Sequence, residues 1–106
     1  MSDIKRLTTR GIATAEAIGR HEPFTTSGAL RAETGRPSWY CGRLDETEEA
    51  AWLADRETIV YSVWSYGTPI AWVTSDGRVH KVAQRFSITT TRHQGNLYLL
   101  REDVTA

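Results

Sequence analysis

The sequence is short of most features that would place it in a special class. It has one cysteine, Cys41, in 106 residues, so no internal disulfide can form and the disulfide-framework folds are excluded. Three prolines and eight glycines are too few for a collagen-like or low-complexity chain. No apolar run approaches the roughly 20 residues of a membrane-spanning helix, so no membrane is expected as a partner. Met1-Ser2-Asp3-Ile4-Lys5-Arg6 lacks the apolar core of a secretory signal. An excess of one charge is missing too: thirteen basic residues balance thirteen acidic ones, and nothing global draws the chain to a polyanion. The lone cysteine and the absent leader point to a reducing cytoplasm. Cys41 itself reads as a small structural residue, since no Cys–His signature surrounds it. There is no P-loop, no dinucleotide fingerprint and no Gly-x-Ser-x-Gly turn, and His21, His80 and His93 have no ligand spacing. Neither a cofactor nor a metal is therefore expected.

What is present describes a folded domain. Apolar residues make up 40% of the chain, with four Trp, four Tyr and two Phe; this excludes disorder and suits one domain spanning residues 1–106. Ile4, Leu7, Gly11, Ala15 and Ile18 recur at helical spacing, which predicts an N-terminal helix over 1–20 capped by Ser2 or Asp3. That narrow stripe would pack on its own domain or on a second copy of the chain. Residues 22–43 are rich in Gly, Pro, Ser and Thr and read as loop, with one extended piece around Phe24 to Arg31. The aromatics Trp39 and Tyr40 lie there, free to make contacts. A second helix runs from Leu44 to about Arg56, with Asp45 and Glu48 forming a capping box and Trp52 and Leu53 facing inward. Ile59 to Tyr66 is β-branched and aromatic on both faces, as a central strand would be. Ile70 to Thr74 resumes after Gly67-Thr68-Pro69, and Asp76-Gly77 predicts a tight hairpin into Arg78-Val79-His80. Phe86 to Ile88 alternates as a further strand. A last helix begins near Thr91, boxed with Gln94, and aligns His93, Leu97, Leu100 and Val104. The sum is an α+β domain: an antiparallel meander of three to four strands with about three helices packed mainly on one face.

The balanced charge hides a local asymmetry. Residues 45–57 carry a net charge of −5, and residues 77–101 hold Arg78, Lys81, Arg85, Arg92 and Arg101 without one acid. That basic third could follow a phosphate backbone; equally, it could lie against the acidic helix of its own molecule.

Two segments carry a resemblance. Ser65-Tyr66-Gly67-Thr68-Pro69-Ile70-Ala71-Trp72 and Ser87-Ile88-Thr89-Thr90-Thr91-Arg92-His93-Gln94 resemble a signature of small uncharacterised proteins of actinobacteriophages and related mobile elements. In that group a Ser-Tyr-x-Thr-Pro-Ile-Ala-Trp strand precedes a Tyr/Phe-Ser-x-Thr-Thr-x-x-His-Gln segment. Pro23 to Leu30 is similar to the group's N-terminal element, and Phe86 stands where Tyr is common. The resemblance implies a phage-encoded protein acting in the bacterial cytoplasm, and it implies no reaction.

Tyr66, Trp72, Arg78, Arg85, Arg92 and His93 are the candidate binding residues. An aromatic pair beside a helix start carrying Arg92 and His93 would suit a base, a phosphate or an acidic peptide. On the opposing account Tyr66 and Trp72 fill the core and His93 ties strand to helix. Ser65 and His93 can be drawn as nucleophile and base, but no orienting acid accompanies them. The sequence favours a non-enzymatic binding module that modulates a host or phage protein, as a small homo-oligomer. The alternatives are a nucleic-acid binder using Arg78, Lys81, Arg85 and Arg92, and a metal-independent ribonuclease-like toxin using His80, His93, Arg92 and Tyr66.

Overall fold

A computed structural model describes residues 4–9, 11–38, 40–84 and 88–101. Its elements are β1 (Lys5–Leu7), α1 (Ile12–Gly19), β2 (Phe24–Thr26), β3 (Leu30–Thr34), α2 (Glu46–Asp55), β4 (Ile59–Ser65), β5 (Thr68–Thr74), β6 (Val79–Lys81) and α3 (Ile88–Gln94). Single 3-10 turns follow α2 at Arg56–Thr58 and α3 at Gly95–Leu99. The six strands form one mixed sheet in chain order. β1 and β2 run parallel, as a crossover through α1 permits, and every later pair is antiparallel. The class is α+β, with more strands than the meander of three to four.

The extra strands come from two places where local pattern misleads. Ile4 and Leu7 share a helical period with Ala15 and Ile18, but Gly11 lies between them at φ 113, ψ 165, a conformation only glycine adopts readily. The helix therefore starts at Ile12, and residues 5–7 are left extended beside β2. Residues 1–3, with the expected Ser2 or Asp3 cap, lie outside the described residues. The piece expected from Phe24 to Arg31 is two strands. Thr26 closes their turn, its Oγ1 donating to the Leu30 carbonyl (2.7 Å) and accepting from the Gly28 N–H (3.2 Å).

α2 begins as its sequence dictates: the Asp45 carboxylate accepts the Glu48 N–H at 2.9 Å. The box is only half made. Glu48 turns instead to the Ala83 N–H (2.8 Å) and to His80 Nε2 (2.9 Å), clamping α2 to the segment after β5. Trp52 faces inward and is fully buried, whereas Leu53 is exposed, contrary to expectation. The hairpin at Asp76-Gly77 forms between β5 and β6, closed by Gly77 N–H to the Thr74 carbonyl at 2.9 Å. At the C-terminal end α3 already includes Ile88. Thr91 is therefore inside the helix, not its cap, and Gln94 Nε2 donates to the Val82 carbonyl at 3.0 Å. Most of the expected Phe86 strand lies outside the described residues, and Ile88 is helical.

The sheet is covered on both faces, not mainly on one. Along β4 and β5, Val63, Ala71 and Val73 pack with Ala17 and Ile18 of α1 and with Leu97 and Leu100. Trp64 and Trp72 alternate with them and meet Trp52 of α2 on the other side. Trp52 lies edge-on to both, at 5.5 Å and 84° from Trp64 and at 5.1 Å and 78° from Trp72. Trp64 Nε1 donates to Ser62 Oγ and Trp72 Nε1 to Asp55 Oδ2, each at 2.9 Å. Of the N-terminal stripe, Ala15 and Ile18 are fully buried in this domain, whereas Ile4 is exposed. Among the described residues no helix is long and apolar enough to cross a membrane.

Candidate functional site

The site lies where β4 turns into β5 beneath α3. Ser65 ends β4 on the α1 face of the sheet, and Tyr66 and Gly67 make the turn. Tyr66 stands at φ 51 in the left-handed region, a conformation unfavourable for a bulky side chain. Its ring is not tucked into the core: it is 63% exposed and lies 6.0 Å from the His93 ring at 23°. Tyr40, also exposed, borders the same turn; a Cβ built on Gly67 would lie 3.5 Å from its Cε2.

His93 is buried at 4% exposure. Its Nδ1 lies 2.7 Å from Ser65 Oγ, and the Ser65 hydroxyl donates to Thr90 Oγ1 at 3.2 Å. In either direction the hydrogen bond between Ser65 and His93 pins the imidazole against the end of β4. His93 also lines a cavity of about 350 Å³ with Thr9, Thr89 and Arg92. Desolvation holds the imidazole below its ordinary pKa and keeps it neutral near pH 7. Ser65 is 1% exposed, so the Ser–His pair forms but presents no nucleophile to a substrate; it positions the ring.

Arg92 is exposed beside His93. Both belong to the last turn of α3, not to a helix start, where a cation complements the helix dipole. Arg92 makes no ion pair among the described residues and also lines a second cavity, of about 460 Å³, walled by Ile12 and Tyr98. Asn96 fixes this corner by donating to the carbonyls of Thr9 (2.9 Å) and His93 (3.2 Å).

The structure thus brings Tyr66, Arg92 and His93 together and sends the other candidates elsewhere. Trp72 is fully buried against Trp52 on the opposite face and offers no surface to a partner. Arg78 is held by Asp55 at 2.8 Å and by Asp76 at 3.6 Å, so part of the basic third lies against the acidic helix of its own molecule. Arg85 lies outside the described residues, as does Trp39. His80 stacks on Trp72 at 4.4 Å and so does not face His93 across one substrate. Burial and Glu49 push the Cys41 thiol up, away from reactivity. Among the described residues no three His, Cys, Asp or Glu side chains form a group fit for a metal. Ile12 and Tyr98 were not legible as site residues, because nothing in the sequence links positions so far apart.

The model of a family of unknown function, DUF8033, matches residues 29–103. The chain belongs to DUF8033. Ser65, Tyr66, Thr90, Arg92 and His93 all fall within the DUF8033 match, whereas Thr9 and Ile12 precede it. No curated protein and no solved structure matches the chain.

Proposed function

We propose that this DUF8033 protein is a non-enzymatic binding module, phage-encoded and acting in the bacterial cytoplasm, that engages a host or phage protein through Tyr66, Arg92 and His93. The observation that carries this reading is Tyr66. An aromatic ring held in a left-handed turn, exposed, and backed by a buried His–Ser–Thr relay is strain kept in place by its surroundings, and such strain clusters at functional sites. Exposed aromatic and arginine side chains are also the residues that anchor protein interfaces.

A protein partner is favoured over nucleic acid by where the cations go. Arg78, the first cation of the basic third, is held by Asp55 and Asp76 of its own chain. Phosphate-backbone binding needs several free cations in a row. The two sequence motifs of the actinobacteriophage resemblance meet in this site, which supports a role in a phage-infected cell.

The test is affinity capture from an actinobacterial lysate with the wild-type chain and Tyr66→Ala, each with and without nuclease. The expected result is a protein retained at near-stoichiometric amount, lost with Tyr66→Ala and insensitive to nuclease. Recovery of no such protein, or recovery that nuclease abolishes, would overturn the reading.

A further inference from the structure

Tyr40, carried by the loop between β3 and α2, reaches the same turn as Tyr66. At 64% and 63% these are the most exposed aromatic rings among the described residues. Gly67 sits beside both: it follows Tyr66 in the chain, and a Cβ on it would stand 3.5 Å from Tyr40 Cε2. The loop is locked to the turn by its main chain. Gly42 stands at φ 58, and a Cβ there would lie 2.6 Å from the Gly67 carbonyl oxygen and 2.7 Å from Thr68 Cα, so the two main chains meet with no room for a side chain between them. The Arg43 N–H donates to Oγ1 of the buried Thr68 at 2.9 Å. Gln84 holds the next residues, its Nε2 donating to the Arg43 carbonyl (2.8 Å) and its Oε1 accepting from the Asp45 N–H (2.7 Å).

We propose that Tyr40 is a second anchor for the partner protein, presented beside Tyr66 as one rigid contact, with Gly42 and Thr68 as the residues that position it. The proposal rests on the binding-module reading above and adds a binding residue to it. An exposed ring returns little of the free energy that burial would give the fold, so the locked loop does not use Tyr40 for packing. A tyrosine supplies a large amphipathic contact with only two side-chain torsions to order. Fixing its backbone beforehand removes a further ordering cost from association. Two such rings on main chains that touch form a pre-organised pair, and aromatic anchors of this kind carry most of the energy of a protein interface.

The experiment titrates the full chain and its Tyr66→Ala, Tyr40→Ala, Tyr40→Phe, Thr68→Val and Val60→Thr forms against the same lysate and reads how much of the retained protein each holds. Val60 is exposed too, but it lies toward the far end of β4, about 16 Å from the turn by strand rise. Tyr40→Ala should weaken retention at least ~10-fold, as loss of an aromatic anchor does, with its urea midpoint unchanged. Tyr40→Phe, which keeps the ring, and Val60→Thr should retain the protein. Thr68→Val keeps the β-branched shape, removes the acceptor for the Arg43 N–H and touches neither ring. It should weaken retention as well, and the Arg43 amide, slow to exchange in wild type, should exchange faster. A protein that Tyr66→Ala loses but Tyr40→Ala holds as wild type does would overturn the second anchor and leave the binding-module reading standing. Fast exchange of the Arg43 amide in wild type, or a fall in urea midpoint that accounts for the Tyr40→Ala loss, would overturn the second anchor alone. A wild-type chain that retains no protein, or only one that nuclease releases, would overturn the reading and the second anchor with it.

Discussion

Ser65→Ala tests whether the two sequence motifs are joined as described. Ser65 is 1% exposed, and its hydroxyl contacts His93 Nδ1 at 2.7 Å and Thr90 Oγ1 at 3.2 Å. Alanine fills nearly the same volume, so little of the cost comes from a cavity. The loss is the partner of a buried ring nitrogen, which costs about 1–3 kcal/mol. Thr90 keeps another interaction, so its share is at the low end, and about 2 kcal/mol is expected in all. For a domain near this length that lowers Tm by roughly 10 °C. Urea unfolding followed by tryptophan fluorescence would read it directly, because Trp52, Trp64 and Trp72 are buried together. The midpoint should fall without a change in m. The decisive control is the cycle with His93→Phe, which removes the other polar partner and keeps the ring. If the hydrogen bond is the cause, the double variant is more stable than the sum of the single losses by at least ~1 kcal/mol. A Ser65→Ala chain within about 0.5 kcal/mol of wild type, or strict additivity, would refute the link.

Other perturbations follow from the same geometry. Gly42→Ala should cost more than about 2 kcal/mol in urea unfolding, since Gly42 sits at φ 58 and a Cβ there would lie 2.6 Å from the Gly67 carbonyl and 2.7 Å from Thr68 Cα. Asp45→Ala, which removes the acceptor for the Glu48 N–H, should cost about 1 kcal/mol, with helical circular dichroism reporting the loss. The lowered pKa of His93 gives a pH signature. The unfolded chain takes up a proton near pH 6.5 and the folded chain only below that, so this contribution is intact above about pH 6.5 and is lost as pH falls through the interval beneath it. Urea midpoints measured from about pH 7.5 to 5 should fall for wild type and fall less for His93→Phe; parallel curves would contradict the assignment.

The parts of the fold legible in the sequence are those set by neighbours in the chain. Asp45 ahead of an acidic first turn, the Asp76-Gly77 turn, and the two-faced apolar run from Ile59 to Ser65 each specify their element locally. That run marked a central strand, but the expected cover was mainly on one face; the cover on the second face, Trp52, came from α2. The first strand was hidden because three residues cannot show a period, and its identity depends on pairing with β2 seventeen or more positions later. At the site, Ser65 and His93 were legible as a pair through their motifs. The release of Trp72 and Arg78 from it stood only as the opposing account, because the residues that claim them, Trp52 and Asp55, are supplied by the distant α2. The apolar wall escaped notice for the same reason: Ile12 and Tyr98 meet only once α1 docks on the 3-10 turn after α3.

The boundary of the DUF8033 match cuts through the lining of both cavities, Thr9 and Ile12 lying upstream of it. Arg92, His93 and Tyr98 lie inside residues 29–103, while Ile12 is delivered by α1, upstream of the match. The leading segment is therefore a separable wall: exchanging the β1–α1 unit would reshape the cavities from one side and leave the Ser65–His93 tie between β4 and α3 in place.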